Sequence, residues 1–168
     1  MASALHVVLV SGSLHAPSKT GALLTAISES LAARAEVTLD EVSALDFNGV
    51  LSRGDVAQQL ELIEGADLLV VASPIYRASY TGLFKHTFDL VAQKALAGKP
   101  VLLAATGGND LHSLAIEHQF RPLFAFFEAV SLPVSVYAKD SDFTDYRVSS
   151  PDLQARIDRA AESALTFV

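Results

Sequence analysis

The sequence predicts a doubly wound α/β fold: a five-stranded parallel sheet of order 2-1-3-4-5, with helices on both faces. Three observations predict it. Continuous apolar runs at Leu5–Val10, Asp67–Ser73 and Pro100–Thr106 read as strands covered on both faces, as in parallel sheets. Between them lie stretches with apolar residues at helical spacing. Strand and helix alternate five times, the pattern of right-handed crossovers between parallel strands.

Each element has its own signal. Leu5–Val10, broken only by His6, is the first strand, and Leu23, Leu24, Ile27 and Leu31 mark the first helix. Val37, Leu39 and Val42 alternate with Thr38 and Asp40; a half-exposed second strand of this kind belongs at a sheet edge. Val56, Leu60 and Ile63 follow Asp55 as the second helix, ended by Gly65. Asp67–Ser73 is the third strand, and Phe84, Phe88 and Val91 form the third helical stripe, ended near Gly98. Pro100–Thr106 is the fourth strand, Leu111 to Ala129 the fourth helix, and Val134, Val136 and Ala138 the fifth strand. Leu153, Ile157, Ala161, Ala164 and Leu165 make the fifth helix, with Ser150 as N-cap and Pro151 in its first turn.

Composition narrows the function. The chain has 168 residues, read as one domain over 1–168, and is 51% hydrophobic and 18% charged. Disorder is excluded, because it requires low hydrophobicity and high net charge. No cysteine is present, which removes disulfides, thiolate metal sites and a thiol nucleophile. A net charge of −7, without a basic stretch, argues against nucleic acid and anionic membranes as partners. Val7–Val10 is too short for a signal core, and no apolar run approaches the ~20 residues of a membrane helix, so a cytoplasmic protein is expected. High apolar content at low charge points to surface covered by another subunit.

In such sheets ligands bind beyond the C-terminal ends of the strands. Three loops fall there. The first carries four hydroxyls, Ser11, Ser13, Ser18 and Thr20, with Lys19 beside them, at the start of a helix whose free N–H groups attract anions. It lacks the Gly-Lys-Ser/Thr of a Walker loop and the three-glycine dinucleotide spacing, and suits a terminal phosphate monoester. Ser18 alone also reads as an ordinary N-cap. The second loop, Ser73-Pro74-Ile75-Tyr76-Arg77, can border a flat aromatic ring, although Tyr76 alone also reads as a buried turn residue, and Tyr80 as structural. The third, Thr106-Gly107-Gly108, lets a planar ligand approach bare backbone. His6 and His86 sit away from carboxylates at ligand spacing, so no metal is expected.

The segments Gly12-Ser13…Ser18-x-Thr20-x-x-Leu23-Leu24, Ala72-Ser73-Pro74-Ile75-Tyr76-Arg77-Ala78-Ser79-Tyr80-Thr81-Gly82-Leu83-Phe84-Lys85, Ala97-Gly98-Lys99-Pro100, Ala105-Thr106-Gly107-Gly108 with His112, and Arg121-Pro122 stand together in one chain. With them the chain resembles the NAD(P)H-dependent FMN reductases of the flavodoxin-like fold, closest to the reductase components of two-component alkanesulfonate- and methanesulfonate-type monooxygenase systems. The resemblance implies FMN phosphate at Ser11, Ser13, Ser18 and Thr20, to which Lys19 of the same loop adds charge, the isoalloxazine against Pro74, Ile75, Tyr76 and Arg77 and against Thr106, Gly107 and Gly108 near His112, and NADH or NADPH as hydride donor. Arg77 is the candidate for the donor's phosphates. Where the family often has Pro-Arg after Gly-Ser, this chain has Leu14-His15, a mostly neutral group that implies weaker flavin binding.

The fourth helix carries a further signal. Pro122 offers no N–H to the carbonyl of His118, and some reductases of this group resemble this segment with a residue inserted in a π-bulge at that place. His118 is the candidate for control of flavin release, or else an interface polar group. Leu111, Leu114, Ile116, Phe120, Leu123, Phe124, Phe126 and Phe127 make this helix apolar almost all round, which implies a homodimer or homotetramer. The expected function is reduction of FMN by NAD(P)H, delivering reduced FMN to a flavin-dependent monooxygenase. The rival readings are an FMN-retaining quinone or azo reductase, a non-enzymatic flavodoxin-type electron carrier, and a flavin-free interaction domain.

Overall fold

The structure is a computed structural model and describes residues 4–168. The three apolar runs are strands β1 (Leu5–Ser11), β3 (Leu68–Pro74) and β4 (Pro100–Gly107), and β2 is Val37–Ser43. The sheet order is β2-β1-β3-β4, with the position after β4 filled by β5 (Val130–Ser131) and β6 (Val136–Lys139). All pairings within this sheet are parallel. Their register aligns Ser11 with Ser43 and Ala72, Pro74 with Thr106, and Gly107 with Lys139, so the strands end together on one side.

Alternation along the strands divides the core in two. Val8, Val10, Leu69, Val71 and Leu103 face helices α2 (Ala57–Gly65), α3 (Gly82–Asp89) and α4 (Arg121–Phe126) through Leu60, Ile63, Phe84, Phe88 and Phe124. Val7, Leu9, Leu68, Val70 and Leu102 face α1 (Lys19–Ala32) and α5 (Pro151–Ala164) through Leu23, Ile27, Leu31, Ile157 and Ala161. β2 is the outermost strand, with Thr38–Glu41 exposed, as its mixed sequence predicts.

Three expectations are refined. The fifth strand is split: the Leu132 N–H still bonds the Val101 carbonyl at 2.9 Å, but Pro133 has no N–H to continue the ladder, and Val134 falls in the gap. The third helix ends at Asp89, well before Gly98. The fourth is not one helix. A short 3₁₀ turn (Asp110–His112) is followed by a π-helical turn, Ile116–Phe120, in which the Arg121 N–H donates to the Ile116 carbonyl five residues back. Pro122 then sits in the first turn of α4, directly after the π turn. Phe120, Phe124 and Phe127 are buried in this chain's own core, whereas Leu111 (86%), Leu114 (62%) and Phe126 (62%) are exposed. A two-stranded antiparallel hairpin, β7 (Phe143–Thr144) and β8 (Arg147–Val148), precedes α5.

Candidate functional site

At the C-terminal ends of β1, β3 and β4 the three loops meet around a cleft of about 340 Å³, within the range of small-molecule sites. Side-chain hydroxyls stitch the loops together. Thr81 Oγ donates to the Gly12 carbonyl at 2.7 Å, and the Thr81 N–H donates to Ser73 Oγ at 3.0 Å. Thr20 and Thr106 share a hydrogen bond of 2.8 Å, and the Ile75 N–H reaches the Thr106 carbonyl at 2.8 Å. Gly12 is required by the close approach of the strands: a Cβ there would lie 2.7 Å from Ser73 and 2.9 Å from Phe84.

The first wall is Ser13, His15, Ser18, Lys19 and Thr20. Ser18, in an extended conformation, caps α1: its Oγ accepts the Gly21 N–H at 3.0 Å, which leaves its own hydrogen to donate. No acidic residue lies in the first turn of this 14-residue helix, so its partial positive charge is uncancelled there. The second wall is Pro74, Ile75 and the half-exposed Tyr76, and the third is Thr106, Gly107 and Gly108. A Cβ on Gly107 would fall 2.2 Å from the Tyr137 hydroxyl, so this strip of backbone stays bare. That hydroxyl donates to the Asn109 carbonyl and braces the loop. Burial, reinforced by Asp110, Asp140 and Asp142, pushes its pKa above the usual tyrosine value and keeps the donor proton in place.

Ten of the thirteen sequence candidates for cofactor binding line this cleft. Ser11 is buried outside this lining, in an adjoining hollow that shares Ser13, His15 and Ser18, and accepts the Ser13 N–H at 3.4 Å. Arg77 lies outside the lining: Tyr76 and Ser79 pair backbone to backbone, and Arg77 and Ala78 form the turn between them at φ of 52° and 68°. His112 lies in the 3₁₀ turn beyond the cleft, and His118 is exposed on the π turn, in a separate apolar groove with Pro122 and Phe126. The cleft gains two residues that were not candidates: Asp140, at the end of β6, and Tyr146, at the tip of the β7–β8 hairpin. His15, singled out only as a departure from the family pattern, also lines it. His6 pairs with Asp40 at 2.8 Å, and His86 meets the Val50 carbonyl at 2.6 Å. Among the described residues no three potential metal ligands come together, and no helix is long and apolar enough to cross a membrane.

Residues 5–144, which carry all three walls, match the NADPH-dependent FMN reductase family. The chain belongs to that family. It is 48% identical to the NADH-dependent FMN reductase SfnE of Pseudomonas putida, over 98% of this chain and 93% of that protein. Among solved structures, the apo form of the NADH:FMN oxidoreductase EMOB superposes with a TM-score of 0.85 at 30% identity, covering 96% of this chain and 89% of that one. A flavodoxin from the domain Archaea shares the fold, with a TM-score of 0.65 at 16% identity over 97% of this chain and 99% of that one. As a member of the FMN reductase family the protein is a flavodoxin-like oxidoreductase that uses FMN and NAD(P)H.

Proposed function

We propose that the cleft binds FMN with its phosphate in the Ser13–Thr20 wall and its ring between Pro74–Tyr76 and Thr106–Gly108, and that reduced FMN then leaves for a flavin-dependent monooxygenase. One observation supports the placement: a hydroxyl-lined helix amino end and the bare backbone of Gly107 and Gly108 line the same cleft. The residues fit the group, because the wall offers donors to an anion and the strip offers a thin, flat surface to a ring. When bound, FMN supplies the hydride-accepting ring. The chain orients it. Ser18 and the first N–H groups of α1 hold the phosphate, Pro74 makes the adjoining wall stiff, and the exposed Tyr76 shields the ring edge from water. Arg77, outside the cleft on the turn beside Tyr76, meets the phosphates of the hydride donor at the rim. The ring-facing strip presents no acid, base or nucleophile, so rate enhancement comes from orientation of the two substrates.

Replacing Ser18 with Ala tests the phosphate placement. FMN binding is expected to weaken by about 1–2 kcal/mol, the value of a hydrogen bond to a charged group, with riboflavin unaffected. Equal wild-type affinities for FMN and riboflavin in a fluorescence titration would overturn it. The same change removes the N-cap, so a thermal melt is expected to show a loss of about 1 kcal/mol independent of ligand.

The exposed Leu111, Leu114 and Phe126 support a homodimer or homotetramer formed through this face. A wild-type monomer at micromolar concentration in light scattering would exclude it. Transfer to a monooxygenase is distinguished from FMN retention by flavin content after gel filtration. The release reading requires flavin-free protein that supports an added monooxygenase.

A further inference from the structure

We propose that Asp140 is a built-in counter-anion of the phosphate wall, which lowers the affinity of the cleft for FMN and so favours its release. This rests on placing the FMN phosphate at Ser13–Thr20.

The sheet register brings the carboxylate there. Lys139 is aligned with Gly107, so the next residue, Asp140, emerges at the mouth of the cleft between the first and third loops. Its Oδ1 lies 2.9 Å from Lys19 Nζ, and its Oδ2 lies 4.0 Å from where a Gly108 Cβ would stand. Among the residues lining the cleft, the acidic and basic side chains are His15, Lys19 and Asp140. Lys19 is therefore the one permanent cation of the lining, and it is already paired. The next lysine, Lys139, is bound by Asp110 at 2.8 Å. Asp142, nearby, is occupied in accepting the Lys139 N–H at 2.9 Å.

A lysine in contact with a carboxylate presents a dipole to a third group rather than a full charge. A phosphate monoester carries about −1.5 to −2 charge at neutral pH, so it meets the attraction of Lys19 and the repulsion of Asp140 together. The pair is substantially exposed, at 37% and 58%, and such pairs add little to fold stability. Its effect falls on the phosphate. Because the phosphate is remote from the redox chemistry, Asp140 weakens oxidised and reduced FMN alike, and it leaves riboflavin untouched.

The test is a titration of FMN and of riboflavin into wild type, Asp140→Asn, Lys19→Ala and the double variant at low and high salt. Asp140→Asn is expected to bind FMN about tenfold more tightly, which is about 1.4 kcal/mol, with riboflavin unchanged. The gain is expected to shrink as salt screens the cleft, and to persist in the Lys19→Ala background, where Asp140 repels the phosphate with no lysine beside it. Unchanged or weaker FMN binding, or an equal shift for both flavins, overturns the proposal. If Asp140→Asn does not fold, Asp140→Ser carries the same expectation. The Ser18→Ala variant separates the two readings. If it weakens FMN and riboflavin alike, the phosphate placement fails. If it is selective while Asp140→Asn gives no gain, only the role of Asp140 fails.

Discussion

Phe124→Asp is expected to leave the chain unfolded, whereas Phe126→Asp is expected to leave a folded chain of smaller assembled mass. The two residues are two positions apart on one apolar helix, and burial separates them. Phe124 is fully buried and meets the Phe88 ring edge-on at 5.0 Å. A carboxylate there loses the packing of a phenyl ring, about 3–5 kcal/mol, and adds an unpaired buried charge. Against a total stability of about 5–15 kcal/mol, that is enough to empty the native state. Phe126 is 62% exposed and meets the Phe127 ring edge-on at 5.5 Å. Far-UV circular dichroism with light scattering checks both. A Phe124→Asp protein that melts like wild type would mean that the core around Phe88 is not as described. A Phe126→Asp protein of unchanged mass would remove this face from the proposed interface.

Under the release of FMN proposed above, deleting His118 is expected to make the chain retain FMN, and His118→Ala is expected to do so in part. The π turn holds one residue more than an α-turn would, and its Arg121-to-Ile116 bond spans five residues. Removing one residue restores the four-residue spacing and rotates one side of the segment by about 100° against the other. Two contacts carry that rotation to the cleft. Gln119 Oε1 accepts the Ser79 hydroxyl at 3.1 Å, and Phe120 packs edge-on to Tyr80 at 5.4 Å. Ser79 is itself paired with Tyr76, which lines the cleft. Flavin content after gel filtration, together with transfer of reduced flavin to an added monooxygenase, reads the outcome. A deletion variant that folds, stays flavin-free and supports the monooxygenase as well as wild type would reduce His118 to an interface residue.

The strand order was legible because Val7–Val10, Leu68–Ala72 and Val101–Ala105 are apolar on both faces and so admit only the sheet interior. The split at Pro133 was not, since Val134, Val136 and Ala138 keep a strand's period across a break that only the missing N–H reveals. The slip at His118 was legible from Pro122 and the resemblance together, but its consequence, a π turn handing over to a short new helix, depends on packing. In the cleft, the loop residues were legible because they directly follow the strand ends. Arg77 stands off the lining because it sits in a left-handed two-residue turn, and nothing in Tyr76-Arg77-Ala78-Ser79 marks such a turn without glycine. Asp140 and Tyr146 were missed for the opposite reason. Tyr146 reaches the cleft from a hairpin of two-residue strands, too short to leave a period, and Asp140 from just past β6, a strand end not read as a ligand loop.

The exposed second strand has a consequence for how the protein behaves in a crowded solution. A strand at the end of a sheet offers backbone donors and acceptors to any passing extended chain, and a flat apolar edge would invite stacking into fibrils. Here Asp40 and Glu41, neighbours that point to opposite faces of β2, place negative charge on both sides of that edge. An incoming strand would have to strip water from a carboxylate whichever face it approached, and a second copy of the same strand would bring like charge against like. Charge at this margin of the sheet thereby works against pairing with a second copy, which leaves the proposed self-association to the exposed apolar Leu111, Leu114 and Phe126.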